Sequence, residues 1–272
     1  ADITSVAQSD LDLGDFKADA LQSVTLDGRL YGLPWRRGGY VLTCNMKLLK
    51  EVGILYPPNT LDELKAYAAR VTEGLDGVYG LGMPLGKPSA AFNRWECVFY
   101  CYGGDWLNEK GTAPADNFLE VATKTFQFFL DIAKYCPPTV LEDTDDDVVR
   151  LGAAGKIAMW PEVLTGKIQV EALAEPEILE NLEYAYFPEG KYDPVTRTSY
   201  RYTSVNGWDI AISASTKAFD AAWQFVKFWV SSENMAAVAL ALPTRISSLQ
   251  HPRFADIPGA VSYTHLTLPT KA

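Results

Sequence analysis

The chain has 272 residues, enough for one large domain or two modest ones, and its 48% hydrophobic and 21% charged residues are typical of a folded globular protein. Its formal net charge is -10 and its Lys and Arg residues are scattered, which disfavours a nucleic-acid partner because phosphate binding needs concentrated positive charge. No run approaches the roughly 20 apolar residues of a membrane-spanning helix, so we expect no such helix in this sequence.

Both ends of the sequence are unusual for a complete α/β protein. The first residues, as far as Leu13, lack the β-strand that normally opens such a domain, so we interpret the start as internal to a longer protein. Residues 260–272 continue no periodicity and resemble translated adapter sequence, which predicts a non-native tail. We therefore give His265 no chemical role. The sequence starts at Ala1 without Met and shows no basic-then-apolar export segment, so we expect targeting information to be removed or missing and infer the compartment from function.

The first predicted elements form a hairpin, a strand and a short helix. A turn at residues 26–28 predicts a hairpin whose second arm ends at Pro34, a residue that cannot donate to a strand ladder. Residues 40–44 are a β-prone run. Asn45 is then placed to cap a helix that Gly53 ends.

Strands and helices alternate along the rest of the chain, which favours an α/β fold. Thr60 and Glu63 have the spacing of a capping box, which predicts a helix from Leu61 onward. Further helices are predicted over 117–135 and 215–230, and strands over 156–159 and 209–212. The expected inner stripe of the longest helix is Phe118, Ala122, Phe126, Phe129 and Ala133.

The sequence contains no recognised catalytic or metal-binding motif, so we predict no cofactor, no metal and no catalytic residue. It has no phosphate loop, dinucleotide fingerprint or zinc-protease helix, and outside the tail His251 is its one histidine. The acidic run 142–147 lacks the ligand spacing of an EF-hand and is better explained by a helix cap at Thr144 or Asp145. The cysteines show no zinc-ligand spacing and no disulfide is supported; they are Cys44, Cys97, Cys101 and Cys136.

Tryptophans at strand ends and turns are the most informative side chains. Trp35, Trp95, Trp160 and Trp208 occupy such positions, whereas Trp106 and the helical Trp223 and Trp229 are expected to be structural. Indole faces suit the C–H surfaces of sugar rings, and nearby polar groups can bind hydroxyls. For any one of the four, packing in the core is an equally good explanation.

Seven short segments have a family's motifs in the family's order. They are LDGRLYGLP at 26–34, NMKLLKEVGI at 45–54, PNTLDEL at 58–64, GKIAM at 155–159, NGWDIAIS at 206–213, DAAWQFVKF at 220–228 and LPTR at 242–245. They resemble the family 1 extracellular solute-binding proteins, the sugar receptors of ABC importers. Cys44 stands where the family usually has Tyr, and Leu61 where Trp is common.

The resemblance implies a two-lobed α/β fold, the type II periplasmic-binding-protein fold, truncated here at both ends. It places 1–38 and 205–242 in the N-terminal lobe, and 39–204 and 243–259 in the C-terminal lobe. The chain would cross between lobes near residues 37–40, 203–207 and 242–245. Hinge closure would bury a ligand between the lobes.

The resemblance also implies function and partners. The chain would capture a sugar or oligosaccharide outside the cytoplasm, in the periplasm or as a lipoprotein on the outer face of the membrane, and deliver it to the permease subunits. We expect a monomer without enzymatic activity. Arg245 could equally brace the hinge through a salt link. The expected ligand-binding residues are Trp35, Arg36, Tyr40, Trp95, Trp160, Glu162, Asn206, Trp208 and Arg245.

Two other functions remain open from the sequence. Glu96 and Glu162, beside Trp95 and Trp160, could be the paired carboxylates of a carbohydrate hydrolase. A receptor of the same fold could instead bind a polyamine, a metal chelate or a peptide.

Overall fold

The computed structural model describes residues 1–163, 166–193, 198–238 and 242–252. Within these ranges the strands are β1 (Thr25–Leu26), β2 (Arg29–Leu30), β3 (Leu33–Asn45), β4 (Tyr79–Leu81), β5 (Ile157–Val163), β6 (Leu182–Ala185), β7 (Lys191–Asp193), β8 (Thr198–Tyr200), β9 (Val205–Ile210) and β10 (Leu242–Pro243). The helices there are α1 (Thr4–Asp10), α2 (Ala18–Ser23), α3 (Met46–Glu51), α4 (Leu61–Gly74), α5 (Pro88–Cys101), α6 (Phe118–Ala133), α7 (Asp145–Ala153), α8 (Gly166–Leu173), α9 (Pro176–Leu179), α10 (Phe219–Trp229), α11 (Ser232–Val238) and α12 (Ile246–Leu249). None of these helices combines the length and the apolar character needed to cross a membrane.

The chain divides into two compact units. Among the described residues, the first contains those of 1–38 and 205–252, and the second contains those of 39–204. The first unit is built around a core of α1, α10 and the start of β3, in which Ile3, Leu33 and Val226 are buried.

The assignment of 243–259 to the second lobe is wrong for the residues that are described, and so is the third crossing near 242–245. β10 pairs with β3 at Arg36 and Arg37, and the Thr244 hydroxyl donates to the Pro34 carbonyl at 2.5 Å. These bonds keep the segment with the first unit. Residues 253–259 and the tail 260–272 lie outside the described residues.

The hairpin is confirmed, but its second arm is shorter than expected. Asp27 and Gly28 have φ of 50° and 76°, the left-handed pair that a two-residue hairpin turn requires. β2 ends at Leu30. Pro34 lies inside β3 rather than closing the hairpin, because a missing N–H is tolerated at the start of a strand.

Local capping signals in the second unit are confirmed. Asn45 Oδ1 accepts from the amides of Lys47 and Leu48 at 3.1 and 3.4 Å, which starts α3. Thr60 and Glu63 form the capping box of α4, whose buried residues are the expected Leu61, Leu64, Ala68 and Val71. Thr144 caps α7 in the same way.

The second unit is centred on a sheet covered by helices. The second half of β3 pairs antiparallel with β5 and with β6, and β5 pairs parallel with β4. The inner stripe expected for α6 is wrong in part, since Phe126 is 60% exposed. The stripe was ambiguous because apolar residues lie on most sides of this helix. Its buried residues are Val121, Ala122, Thr125, Phe128 and Ile132.

Candidate functional site

Three of the expected ligand-binding residues meet in the first unit, where β9 pairs with β3. The guanidinium carbon of Arg36 lies 3.4 Å from the ring centre of Trp208 and 4.7 Å from that of Trp35. Trp35 is half-buried and packs edge-to-face on Trp229 at 5.5 Å. Trp208 remains 51% exposed. The first unit therefore presents the indole of Trp208, which has the Arg36 cation against its ring and about half of its surface exposed.

A buried arginine that the sequence did not single out supports this group. Arg37 forms an ion pair with Asp209 at 3.5 Å and donates to the Ala20 carbonyl at 3.4 Å and to the Ser23 hydroxyl. It packs so closely on Gly207 that a Cβ there would overlap its guanidinium. Arg37 thus ties the Trp208 segment to β3. The partners are too far apart in sequence for a local pattern to reveal them.

Arg245 has a structural role in this unit. Its Nη1 lies 3.4 Å from Asp15 Oδ2, and its guanidinium carbon is 4.6 Å from the ring centre of Phe16. Burial lowers the pKa of Arg245, and Asp15 opposes that shift. This salt link lies within the first unit and therefore does not brace a hinge between units, and the ligand contact expected for Arg245 stays a prediction. Asn206 lies in β9, but its side chain is outside the described residues.

Tyr40 lies in the second unit, in a buried polar group. Its hydroxyl accepts from Asn93 Nδ2 at 3.2 Å and from Arg94 Nη1 at 3.3 Å. Arg94 is itself buried and pairs with Asp145 at 2.6 Å, while donating to the Pro161 carbonyl at 3.3 Å. These bonds engage the Tyr40 hydroxyl within the protein, so it is not the open cleft residue that was expected.

Glu162 is the most perturbed acid beside this group. The residue is 6% exposed, and burial raises the pKa of its carboxyl to about 7. The positive charge of Arg94 and the amide of Val163, which donates to Oε1 at 2.7 Å, oppose the shift. Oε2 is buried and has no hydrogen-bond partner among the residues that the structure describes.

The expectation that Trp160 stacks on a ligand is wrong. Its indole has no exposed surface and packs among Val148, Val149 and Ile157. A Cβ at Gly152 would lie 2.7 Å from the ring, so the glycine forms the slot that holds it. Trp160 is therefore a core residue of this unit.

Trp95 is also mainly a core residue. It is nearly buried and stacks on Phe99 at 5.0 Å, with Phe126 and Trp106 at 5.2 and 5.7 Å. The ring contacts with its neighbours leave little surface for a sugar. Trp106, expected to be structural, belongs to the same cluster.

The described residues also bear on catalytic and metal-binding alternatives. Glu96 Oε2 accepts from the Ser204 hydroxyl at 2.7 Å. No group of three or more His, Cys, Asp or Glu side chains suited to a metal occurs in the described ranges. All four cysteines are free and buried, and burial raises the pKa of Cys97 to about 11 and that of Cys101 to about 12. Such thiols are poor nucleophiles at neutral pH.

Known proteins resemble the chain in both sequence and fold. A family model described as bacterial extracellular solute-binding protein matches residues 1–236. A binding protein of Brucella abortus (strain 2308) is 30% identical over 222 residues, which are 79% of this chain and 50% of the relative. The maltotriose-binding protein of Pyrococcus abyssi is 24% identical over 228 residues, which are 81% of this chain and 44% of the relative. The chain thus spans about half the length of the curated relatives it matches.

Comparison with solved structures identifies the fold. The maltose-bound structure of T. maritima MalE3 aligns with a TM-score of 0.82 at 23% identity, covering 97% of this chain and 67% of that one. The expected α/β fold of the periplasmic-binding-protein type is confirmed by this similarity.

Proposed function

Because the chain belongs to the bacterial extracellular solute-binding protein family, we propose that it is the solute-binding component of an ABC importer and that its solute is a sugar or oligosaccharide. It acts outside the cytoplasm and hands the solute to the permease subunits. The similarity to a maltotriose-binding protein supports a carbohydrate as solute. Lobe closure over the solute, implied by the resemblance, stays a prediction.

One observation carries the carbohydrate assignment. The guanidinium of Arg36 lies against the ring of Trp208, and half of that indole remains open to solvent. Exposed indoles are costly to leave in water, and they bind the C–H faces of sugars well. The arginine over one face of the ring supplies hydrogen-bond donors next to the exposed surface of the indole.

Calorimetry on the Trp208→Ala variant tests this proposal. Binding of the wild-type chain is first measured against a panel that contains maltose, maltotriose, a polyamine and a peptide. For the sugar that binds, we expect Trp208→Ala to weaken the affinity by about 1–3 kcal/mol, the usual effect of removing an aromatic anchor.

Phe225→Ala is the matched control, because Phe225 is an aromatic residue of the same unit that is 55% exposed. It should bind the sugar as the wild type does. Equal losses of sugar affinity in Trp208→Ala and Phe225→Ala would contradict the proposal. Binding of only the polyamine or only the peptide from the panel would contradict it as well.

Hydrolysis of a glycosidic bond is the second candidate, and one observation favours it. A carboxyl with a pKa near 7, as in Glu162, suits a general acid. However, Glu162 is almost fully buried, and its expected partner Glu96 is bonded to Ser204. We therefore propose that the chain binds its sugar without cleaving it.

A further inference from the structure

Among the described arginines of the first unit, Arg36 alone has no carboxylate partner within the described residues. Arg29 lies 3.9 Å from Asp2, Arg37 lies 3.5 Å from Asp209, and Arg245 also faces an aspartate. Its guanidinium lies instead against the rings of Trp35 and Trp208. In a chain with 34 acidic and 24 basic residues, an arginine without an acid nearby is not explained by a shortage of acids.

The charge of Arg36 is also partly removed from water. The side chain is half-buried, and its Nε, like that of Arg245, is buried without an acceptor among the described residues. Burial lowers the pKa of Arg36 accordingly. The indole faces attract a cation but carry no net charge and accept no in-plane hydrogen bond from a guanidinium. The group is therefore held in a position that a negatively charged acceptor would stabilise.

We infer that the solute is an acidic sugar, and that Arg36 binds its carboxylate while the sugar ring contacts the exposed surface of Trp208. This inference rests on the proposed function and specifies its substrate class. A guanidinium is planar, and its N–H groups match the two oxygens of a carboxylate. The rings of Trp35 and Trp208 restrict the orientation of the guanidinium, so less freedom is lost when a carboxylate binds.

A neutral sugar would bind less tightly next to Arg36. Hydrogen bonds between an arginine and a carboxylate are roughly twice as strong as bonds between neutral groups. A hydroxyl could accept from the terminal N–H groups of Arg36 but would leave the cation without a counter-charge. The structure thus favours uronic acids and their oligosaccharides over their neutral equivalents.

Titration calorimetry with matched ligands tests the inference on the wild-type chain. The probes are D-glucuronate, D-galacturonate and digalacturonate, each compared with its methyl ester, which keeps the sugar and removes the charge. We expect at least one acid to bind about tenfold or more tightly than its ester. The ratio should fall as the salt concentration rises, because screening weakens the charge contact.

Variants of Arg36 then test whether this arginine binds the carboxylate. Arg36→Met, which keeps an apolar stem against the indoles, should bring acid and ester to equal affinity, and Arg36→Lys should retain part of the difference. Arg29→Met is the control, since Arg29 is an exposed arginine of the same unit that pairs with Asp2. It should preserve the full preference for the acid.

The outcomes separate the two proposals. Equal binding of acid and ester by the wild type, or tighter binding of a neutral sugar such as maltotriose, would overturn the acidic-sugar inference and leave a sugar receptor standing. An acid preference that survives Arg36→Met would also overturn it. Binding of no sugar, acidic or neutral, would overturn the proposed function itself. Because the comparison of acid and ester needs no variant, the test holds even if Arg36→Met fails to fold.

Discussion

Replacing Glu162 with Gln should make the protein more stable at neutral and alkaline pH, and the gain should depend on pH. The carboxyl of Glu162 has a reference pKa of 4.5 and a pKa of about 7 in the folded protein, because it is buried. The folded state therefore favours the protonated form. Below the unfolded pKa both states are protonated, and Glu162 causes no penalty. Between pH 4.5 and about 7 the unfolded chain loses this proton while the folded protein keeps it, so the penalty grows over this range and is constant above it.

The size of the stability difference follows from the shift in the pKa of Glu162. Each pKa unit corresponds to about 1.4 kcal/mol, so the penalty above pH 7 is on the order of 3 kcal/mol. Gln has the shape of the protonated acid and does not ionise. The difference in unfolding free energy between Glu162→Gln and wild type should thus be nearly constant below pH 4.5 and rise by about 3 kcal/mol toward pH 8. Other titrating groups are common to both proteins and cancel in this difference.

Urea unfolding followed by tryptophan fluorescence, repeated from pH 4 to pH 8.5, measures this difference. Glu109→Gln is the control at an exposed glutamate and should track the wild type at every pH. A stability difference for Glu162→Gln that does not change with pH would refute the reasoning. It would mean that the buried carboxyl ionises in the folded protein as readily as in the unfolded chain.

Two further substitutions test packing. Trp160→Ala should destabilise the second unit by about 3–5 kcal/mol in urea unfolding, because it empties a fully buried site, and unchanged stability would contradict the core assignment. Gly207→Ala should destabilise the first unit by about 1–3 kcal/mol, because the new Cβ would displace Arg37 from Asp209. The double variant Gly207→Ala with Arg37→Ala should lose less unfolding free energy than the two single variants lose together. Losses that simply add would count against this contact.

Features set by neighbouring residues were predictable from the sequence. The caps at Asn45, Thr60 and Thr144 join residues two or three apart, so the spacing alone specifies them. The turn at Asp27 and Gly28 is equally local. The ordered motifs led to the family because they extend across most of the chain.

Features set by distant residues were not predictable in this way. Trp160 follows a strand motif and looked like a residue at a strand end, but its burial depends on the slot at Gly152 and on α7 and α8. The pairing of Arg37 with Asp209 joins strands from opposite ends of the sequence. At the candidate site, Trp35, Arg36 and Trp208 were predicted individually, whereas the contact between the arginine and the indoles is visible only in the fold.

The central claim is that the chain binds a sugar through the indole of Trp208 and releases it unchanged. Equilibrium dialysis against radiolabelled sugars, followed by chromatography of the recovered label, measures both parts together. The account predicts saturable binding of one sugar per chain, weakened in Trp208→Ala, with the label eluting as the starting compound. Label that elutes as shorter products, or retention that does not saturate, would contradict it.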